Sequence, residues 1–251
     1  SSLVSDIKLG FPLVLNFILD FILAVSDRYF ITYYLSVTAV GFYTPGYVLG
    51  SLIIFVPKAM GTAMPQLLSK AVDSNNEHDA QQMINYSLKI YLLIAIPFIF
   101  GSVILGKPVL TQLASRELAE NAYLVVPIVA LGTLFYGLSI ILSNILFVRL
   151  KTYQIFKMNL IASVFSILSN TLLLYYFKNI LVAAVTTLLS YLISFIYIQM
   201  LIRSEWPVNY QPAVIVKSVA SSLLMIAVLT WISKVAGEID SVGMLTMELL
   251  L

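Results

Sequence analysis

Long apolar runs alternate with short polar connections along this chain. Each run is long enough, and poor enough in charge, for an α-helix that crosses the hydrocarbon layer of a membrane. Short alternating segments, which are typical of membrane β-strands, are absent. The pattern predicts an all-α fold, a polytopic transmembrane bundle of about seven helices. Helices A to G are predicted over about 9–31, 41–68, 83–105, 119–148, 154–177, 180–202 and 213–235.

The connections predict how these helices are grouped. Only Lys178 and Asn179 separate helices E and F, which predicts an antiparallel hairpin. We expect residues 1–204 to form one six-helix lobe and residues 205–251 to add helix G and a truncated tail. The chain begins without methionine, and 244–251 reads as the start of another helix. We therefore expect both ends to lie inside a longer protein.

Composition supports a membrane class and argues against several functions. Hydrophobic residues make up 60% and charged residues 10%, against about 25% charged in soluble domains. No basic run of the kind that binds nucleic acid is present. The sequence has no metal-ligand cluster, phosphate loop or nucleophile constellation, so neither an enzyme, a metal site nor a cofactor is predicted. We expect a multi-pass protein of the cell (plasma) membrane, with the Lys8 side cytoplasmic because Lys and Arg are more numerous there.

Asp20 is the most unusual residue because it is the one charged residue in the apolar run 11–25. A carboxylate at bilayer depth costs about 3 kcal/mol or more. Asn16 precedes it by four residues and Asp27 follows it by seven, so all three lie on one helical face. Such a stripe indicates an ion, a transport pathway or a buried partner.

Five segments carry a resemblance to a known family: DRYFITYYL at 27–35, AVGFY at 39–43, PQLLS at 65–69, NTLLL at 170–174 and VAAVTT at 182–187. In this order they resemble the motifs of polysaccharide flippases. Over about 5–235 the chain resembles the second lobe of a Wzx-type oligosaccharide flippase, of the multidrug/oligosaccharidyl-lipid/polysaccharide exporter superfamily. Val182 and Ser36 replace usual glycines, which affects the expected packing of helix E against helix F.

The resemblance implies a function and a set of partners. Family members have two six-helix lobes around a cavity that opens alternately to each side. This chain would be the C-terminal part of a flippase that moves a lipid-linked oligosaccharide on a polyprenyl-phosphate carrier. Its partners would be the lipid bilayer, that substrate and a missing N-terminal lobe of the same protein. A sodium ion or proton is the expected coupling ion.

Three cations are candidate substrate-binding residues: Lys58, Arg28 and Arg149. Lys58 follows Pro57 near the middle of helix B, where an ammonium would attract a pyrophosphate. An ion pair with Asp20 and a snorkelling lysine are the alternatives. Asp27 and Arg28 form either a gate or a solvated pair at the end of helix A. Arg149 marks either the substrate entrance or a positive-inside anchor.

The candidate ion-coupling residues are Asp20, Asn16, Asn170 and Thr187. In some relatives the corresponding helices hold a sodium ion, for which carboxylate, amide and hydroxyl oxygens are suitable ligands. An interhelical hydrogen-bond network is the alternative for Asn170 and Thr187. Tyr136 and Asn144 are candidates for a cavity in which a sugar stacks.

Two other functions remain open at the level of sequence. A multidrug or organic-cation antiporter of the same superfamily would need an acidic, aromatic cavity. A membrane scaffold that transports nothing would not need Asp20 and Lys58 at bilayer depth. Lys58 and the Asp27–Arg28 motif favour the flippase.

Overall fold

The computed structural model describes residues 2–74, 76–203 and 206–248, with side chains described for 11, 14–74, 76–203 and 206–231. The predicted tail beyond 248 lies outside the described residues. Helices account for all of the regular secondary structure in the described part, which confirms the all-α fold. They are α1 (Ser2–Tyr34), α2 (Val37–Gly50), α3 (Phe55–Asp73), α4 (Glu77–Leu113), α5 (Arg116–Ala122), α6 (Val125–Val148), α7 (Thr152–Phe177), α8 (Ile180–Ile202) and α9 (Pro212–Glu248).

Six segments in the described part are long and apolar enough to cross a membrane, which supports a multi-pass membrane protein. They are Leu52–Asp73, Glu77–Leu113, Val125–Val148, Thr152–Phe177, Ile180–Ile202 and Pro212–Trp231. Predicted helix A is not among them: in the part of α1 from residue 14 onward, whose side chains the structure describes, every stretch of 18 residues contains Asp20, Asp27 and Arg28. The Asn16 and Asp20 side chains contact α7, so protein covers that part of the polar face of α1.

Two of the predicted helices, B and D, are each divided in the structure. Helix B is divided between α2 and α3 by a 3-10 turn at Leu52–Ile54, and helix D is divided between α5 and α6. Pro57 and Pro127 are each the third residue of the helix that resumes after the break. Proline has no N–H and its ring clashes with the carbonyl four residues earlier, so the preceding turn cannot stay regular.

The α7–α8 connection is the tight hairpin that the sequence predicts. Lys178 takes a left-handed conformation with φ of 46° at the end of α7. The Asn179 side chain then accepts a hydrogen bond of 2.9 Å from the Leu181 amide and caps α8. Side-chain oxygens of this type satisfy amides that the first helical turn leaves free.

Helix α6 lies at the centre of the bundle and packs against α2, α3, α4 and α8, while α9 packs on α4. Gly46 and Gly50 permit the close approach of α2 to α6. A Cβ at Gly50 would lie 2.5 Å from the Val126 carbonyl oxygen, and one at Gly46 would lie 3.0 Å from that of Ala122. Small residues in a Gly-x-x-x-Gly pattern allow helices in membranes to pack this tightly.

Candidate functional site

A cavity of about 660 Å³ lies beside α1, with walls from α3, α6 and α7. Its polar lining includes Asn16, Asp20, Lys58 and Asn159. A second cavity, of about 160 Å³, shares Asp20 and Lys58 and extends towards Tyr47 and Tyr191. The structure therefore brings Asn16, Asp20 and Lys58 to one wall, as the sequence predicts. This polar wall is the candidate functional site.

Neutral hydrogen-bond donors surround the Asp20 carboxylate. The Tyr136 hydroxyl donates to Asp20 Oδ1 at 2.6 Å, and Asn159 Nδ2 donates to the same oxygen at 2.9 Å. Asn159 Nδ2 also donates to Asn16 Oδ1 at 2.8 Å. The Asn159 amide thus joins the two polar residues of α1, while its own Oδ1 is buried without a hydrogen-bond partner. Such donors take the place of water around a buried carboxylate.

Lys58 lies exposed on the first turns of α3 and lines both cavities. No ion pair within 4.0 Å joins its ammonium to Asp20 in the part of the chain that the structure describes. A direct structural pair with Asp20, one alternative from the sequence, is therefore not formed. The ammonium faces a cavity large enough for a ligand.

Asp27 and Arg28 are not the solvated helix-end pair that one sequence interpretation allows. Asp27 is 1% exposed, and its carboxylate accepts hydrogen bonds from the Tyr43 hydroxyl and, at 2.8 Å, from the Arg28 amide. The Arg28 guanidinium lies 3.6 Å from Asp27 Oδ1 and 4.5 Å from the centre of the Tyr47 ring. It also donates to the Ala24 carbonyl at 2.7 Å. Arg28 thus contacts two residues that line the cavities, Ala24 and Tyr47, but is not itself part of either lining.

Asn170 and Thr187 do not hydrogen-bond to Asp20 as a shared ligand set would. Asn170 Oδ1 accepts from Thr186 at 2.7 Å, and Thr187 donates to the Ala183 carbonyl at 2.9 Å. Asn170 is eleven residues beyond Asn159 on α7, which is about 16 Å along the helix. The Asn170–Thr186 bond joins α7 to α8, as in the interhelical network that the sequence left as an alternative, whereas the Thr187 bond lies within α8.

Arg149 lies at the end of α6, away from the polar wall. Its Nη2 donates to Glu77 Oε1 at 2.9 Å, and its guanidinium lies 5.6 Å from the centre of the Trp206 ring. Arg28, Lys58 and Arg149 therefore occupy three separate places, and only Lys58 lines the cavities. Asn144 is buried, with its amide bonded to helix carbonyls at 3.0 and 3.1 Å, so it does not line them.

Sequence reasoning missed Asn159, Tyr47 and Tyr191, and it noted Tyr136 only for sugar stacking. The Tyr136 and Tyr191 rings are stacked, with centroids 4.4 Å apart and planes 15° apart. The Tyr47 and Tyr191 hydroxyls lie 3.1 Å apart. One available signal was the presence of an amide, Asn159, within the apolar stretch of helix E. The tyrosines gave no comparable signal because tyrosine is common at membrane interfaces.

The comparisons with known proteins point to one group of transporters. Residues 12–176 match the MatE family. The fold is similar to that of the lipid II flippase MurJ in an inward closed conformation, with a TM-score of 0.70 and 17% identity over 90% of this chain and 48% of MurJ. It is also similar to that of a MOP superfamily transporter from Pyrococcus furiosus Vc1, with a TM-score of 0.67 and 16% identity over 92% of this chain and 55% of that one.

At 16% and 17% identity the two structures share a fold with this chain. The chain spans about half the length of either protein. No curated protein sequence matches it.

Proposed function

The chain belongs to the MatE family, and from that membership we propose that it forms one lobe of a flippase for lipid-linked oligosaccharide. The proposed substrate carries its glycan on a polyprenyl phosphate and crosses the cell membrane by alternating access. The likeness of the fold to a lipid II flippase supports a lipid-linked substrate. The Wzx-type motifs in the sequence support a polysaccharide-export role.

The observation that carries this proposal is the Lys58 ammonium on a cavity wall, where it interacts with Asp20 through the electrostatic field and not through a close ion pair. A phosphate or pyrophosphate entering a bundle with 10% charged residues needs a cation to replace its hydration. Lys58 is exposed to the cavity of about 660 Å³ and has no carboxylate within 4.0 Å among the described residues. Its charge is therefore available to an anionic ligand.

The other side of the same wall suits the glycan. Asp20, Asn16 and Asn159 offer carboxylate and amide groups that exchange hydrogen bonds with sugar hydroxyls. Such groups replace the water that a sugar loses when it enters the hydrocarbon layer. We propose that a second lobe closes this wall into a complete cavity, since two-lobed transporters hold substrate between their repeats.

The coupling ion is a further part of the proposal. We propose that a sodium ion or proton drives the cycle and that Asp20 senses it from the cavity wall. An ion shifts the balance between inward and outward states only if its affinity differs between them. A carboxylate held by the side chains of two other helices, Tyr136 on α6 and Asn159 on α7, meets that condition if those helices move relative to α1.

One observation favours a second function, transport of an organic cation or drug. Three tyrosines, Tyr47, Tyr136 and Tyr191, line the cavity of about 160 Å³ together with Asp20. An acidic group among aromatic faces attracts a cationic ligand. In that case the positive charge of Lys58 would repel the cationic ligand and weaken its binding.

Replacing Lys58 separates the two functions. In the intact protein, Lys58→Ala should reduce export of lipid-linked glycan by about tenfold or more, because a charge-assisted hydrogen bond contributes about 1.5–3 kcal/mol. Lys58→Arg should retain part of the activity, since its charge is kept and its geometry changes. The measurement is glycan reaching the outer surface of cells that produce equal amounts of each variant.

Lys70→Ala is the matched control because Lys70 is an exposed lysine on the same helix that lines neither cavity. Normal export by Lys58→Ala would overturn the phosphate role. Increased efflux of a cationic dye by Lys58→Ala, with glycan export unchanged, would establish the antiporter function instead.

A further inference from the structure

Four tyrosines connect two carboxylates of α1, the buried Asp27 and the half-buried Asp20. We call Tyr43, Tyr47, Tyr191 and Tyr136 the tyrosine chain. They come from α2, α8 and α6, and each is at most 7% exposed. Asp20 and Asp27, at its two ends, are seven residues apart on α1, which is about 10 Å along the helix.

The Asp27 end of the tyrosine chain is a cluster of charged and aromatic groups in close contact. The Tyr43 hydroxyl donates to Asp27 Oδ2, and the Arg28 guanidinium lies between Asp27 and the Tyr47 ring. Arg28 contacts both groups, at 3.6 Å from the Asp27 carboxylate and 4.5 Å from the Tyr47 ring centre. A change of charge at Asp27 therefore changes the position that Arg28 prefers over Tyr47.

The Asp20 end of the tyrosine chain is also joined by direct contacts. The Tyr47 hydroxyl lies 3.1 Å from that of Tyr191, the Tyr191 ring is stacked on Tyr136 at 4.4 Å, and the Tyr136 hydroxyl donates to Asp20 at 2.6 Å. Because aromatic stacking of this kind restrains both rings, a displacement of Tyr191 moves the hydroxyl that holds Asp20.

The Tyr47–Tyr191 contact joins the two ends of the tyrosine chain, and the direction of its hydrogen bond is set by the neighbours of the two hydroxyls. Either hydroxyl can donate to the other at the observed distance. A buried hydroxyl without a partner is costly, so reversing this bond requires neighbouring groups to rearrange as well. An element with two arrangements, each favoured by a different neighbour, is what coupling between two sites requires.

We propose that the tyrosine chain couples the charge at Asp27 to the geometry of Asp20 on the cavity wall. Tyr47 and Tyr191 are its positioning residues, and neither needs to contact substrate. This role rests on the transporter function proposed above. In that function the tyrosine chain links the buried Asp27 to the ligand cavity. A neutral or cation-occupied Asp27 would then alter how the cavity binds its ligand.

A double-mutant cycle tests the coupling without any substrate. The full chain in lipid nanodiscs is compared as wild type, Asp20→Asn, Asp27→Asn and both, by the midpoint of thermal unfolding. The cycle is repeated in a Tyr191→Phe background, which keeps the ring and removes the hydroxyl. In the native background, we expect the shifts in unfolding midpoint caused by Asp20→Asn and Asp27→Asn to depart from additivity by about 2 °C or more. In the Tyr191→Phe background, the two shifts should add within error.

Tyr91→Phe is the matched control. Tyr91 is buried, and its hydroxyl donates to the Thr133 carbonyl at 2.8 Å, outside the tyrosine chain. The cycle in this background should stay non-additive. Additive shifts in the wild type would overturn the proposal, because they would show no coupling between Asp20 and Asp27. Equal non-additivity in the Tyr191→Phe background would also overturn it, because a direct interaction along α1 does not need the Tyr191 hydroxyl.

A binding measurement gives the functional consequence. Farnesyl pyrophosphate serves as the probe for the cavity, titrated into the intact two-lobed protein with and without Asp27→Asn, in the native, Tyr91→Phe and Tyr191→Phe backgrounds. We expect Asp27→Asn to change its affinity about threefold or more in the wild type and in Tyr91→Phe, but not in Tyr191→Phe. If the probe binds none of the variants, the proposed substrate class fails, while the thermal cycle still decides the coupling. An equal change in all three backgrounds would refute the coupling role.

Discussion

Asp20 shows how a carboxylate is accommodated in an apolar bundle. Both of its described donors, Tyr136 and Asn159, are neutral, and they come from different helices. Neutral donors stabilise a carboxylate without cancelling its charge, whereas a close lysine would cancel it. Asp20 is thus held in position while it remains able to attract a cation or accept a proton.

Replacing Asp20 with asparagine tests the coupling role at this scale. Asp20→Asn keeps the size of the side chain, and a neutral amide is less costly to bury than a carboxylate, so the bundle should still fold. We expect transport by the intact protein to fall by about tenfold and to lose its dependence on a sodium or proton gradient. The measurement is uptake into vesicles with and without each imposed gradient.

Asp73→Asn is a suitable control, since Asp73 is an exposed carboxylate at the end of α3. It should leave both the rate and the gradient dependence unchanged. If Asp20→Asn responds to the gradient as the wild type does, Asp20 is a structural residue only.

At the scale of the element, α2 is specialised for contact with α6. Its two glycines bring the backbones together, and this contact places Tyr43 and Tyr47 near α1 and α8. Pro57 then ends the regular turn, so α3 begins as a separate helix that carries Lys58. The predicted single helix B is therefore two helices: α2 packs on α6 and contributes Tyr47 to the smaller cavity, and α3 carries Lys58 on the walls of both cavities.

A pair of glycine substitutions tests that contact. Gly50→Ala should lower the free energy of unfolding by about 2 kcal/mol, because its Cβ would lie 2.5 Å from the Val126 carbonyl oxygen. Gly41→Ala, on the same helix, meets nothing within 4 Å and should stabilise by up to about 1 kcal/mol through helix propensity. Unfolding in detergent with added denaturant measures both. Equal effects at the two positions would show that the α2–α6 approach is not tight.

At the scale of the whole molecule, the polar wall lies on one side of the bundle. Large apolar side chains of α1 near it, Phe17 and Phe21 among them, are 77% and 60% exposed. The chain spans about half the length of the two structures that share its fold. A wall of this kind needs an opposing surface before it encloses a substrate.

This arrangement predicts that the 251-residue chain alone does not transport. Reconstituted into vesicles with a fluorescent lipid-linked glycan, it should give the flipping rate of protein-free vesicles, since a half-cavity cannot alternate between sides. Chemical quenching of the outer leaflet measures the rate. A complete two-lobed MatE-family transporter is the positive control, and an equal rate from the isolated chain would contradict the two-lobe proposal.

Much of the fold could be predicted because helices in a membrane must satisfy their backbone groups within each segment. Apolar length therefore revealed helices E and F to within two residues at each end, and it found the middle of α4, which extends well beyond predicted helix C at both ends. Asp20, Asn16 and Lys58 could be placed on one wall from helical spacing and from the cost of charge in lipid. Pro57 and Pro127 permit a bend in predicted helices B and D, but the sequence could not decide between a bend and a break, because proline also occurs inside membrane helices that stay continuous.

By itself, then, the sequence determined which segments are helical and which charges must face inward, since both follow from local periodicity and the cost of transfer into lipid. Only the tertiary structure decided which partners those charges meet. Asn159 and the tyrosine chain come from helices far apart in sequence, and hydrogen bonds depend on distances that spacing along one helix does not specify. The separation of Lys58 from Arg28 and Arg149 was decided in the same way, by how the helices pack against one another.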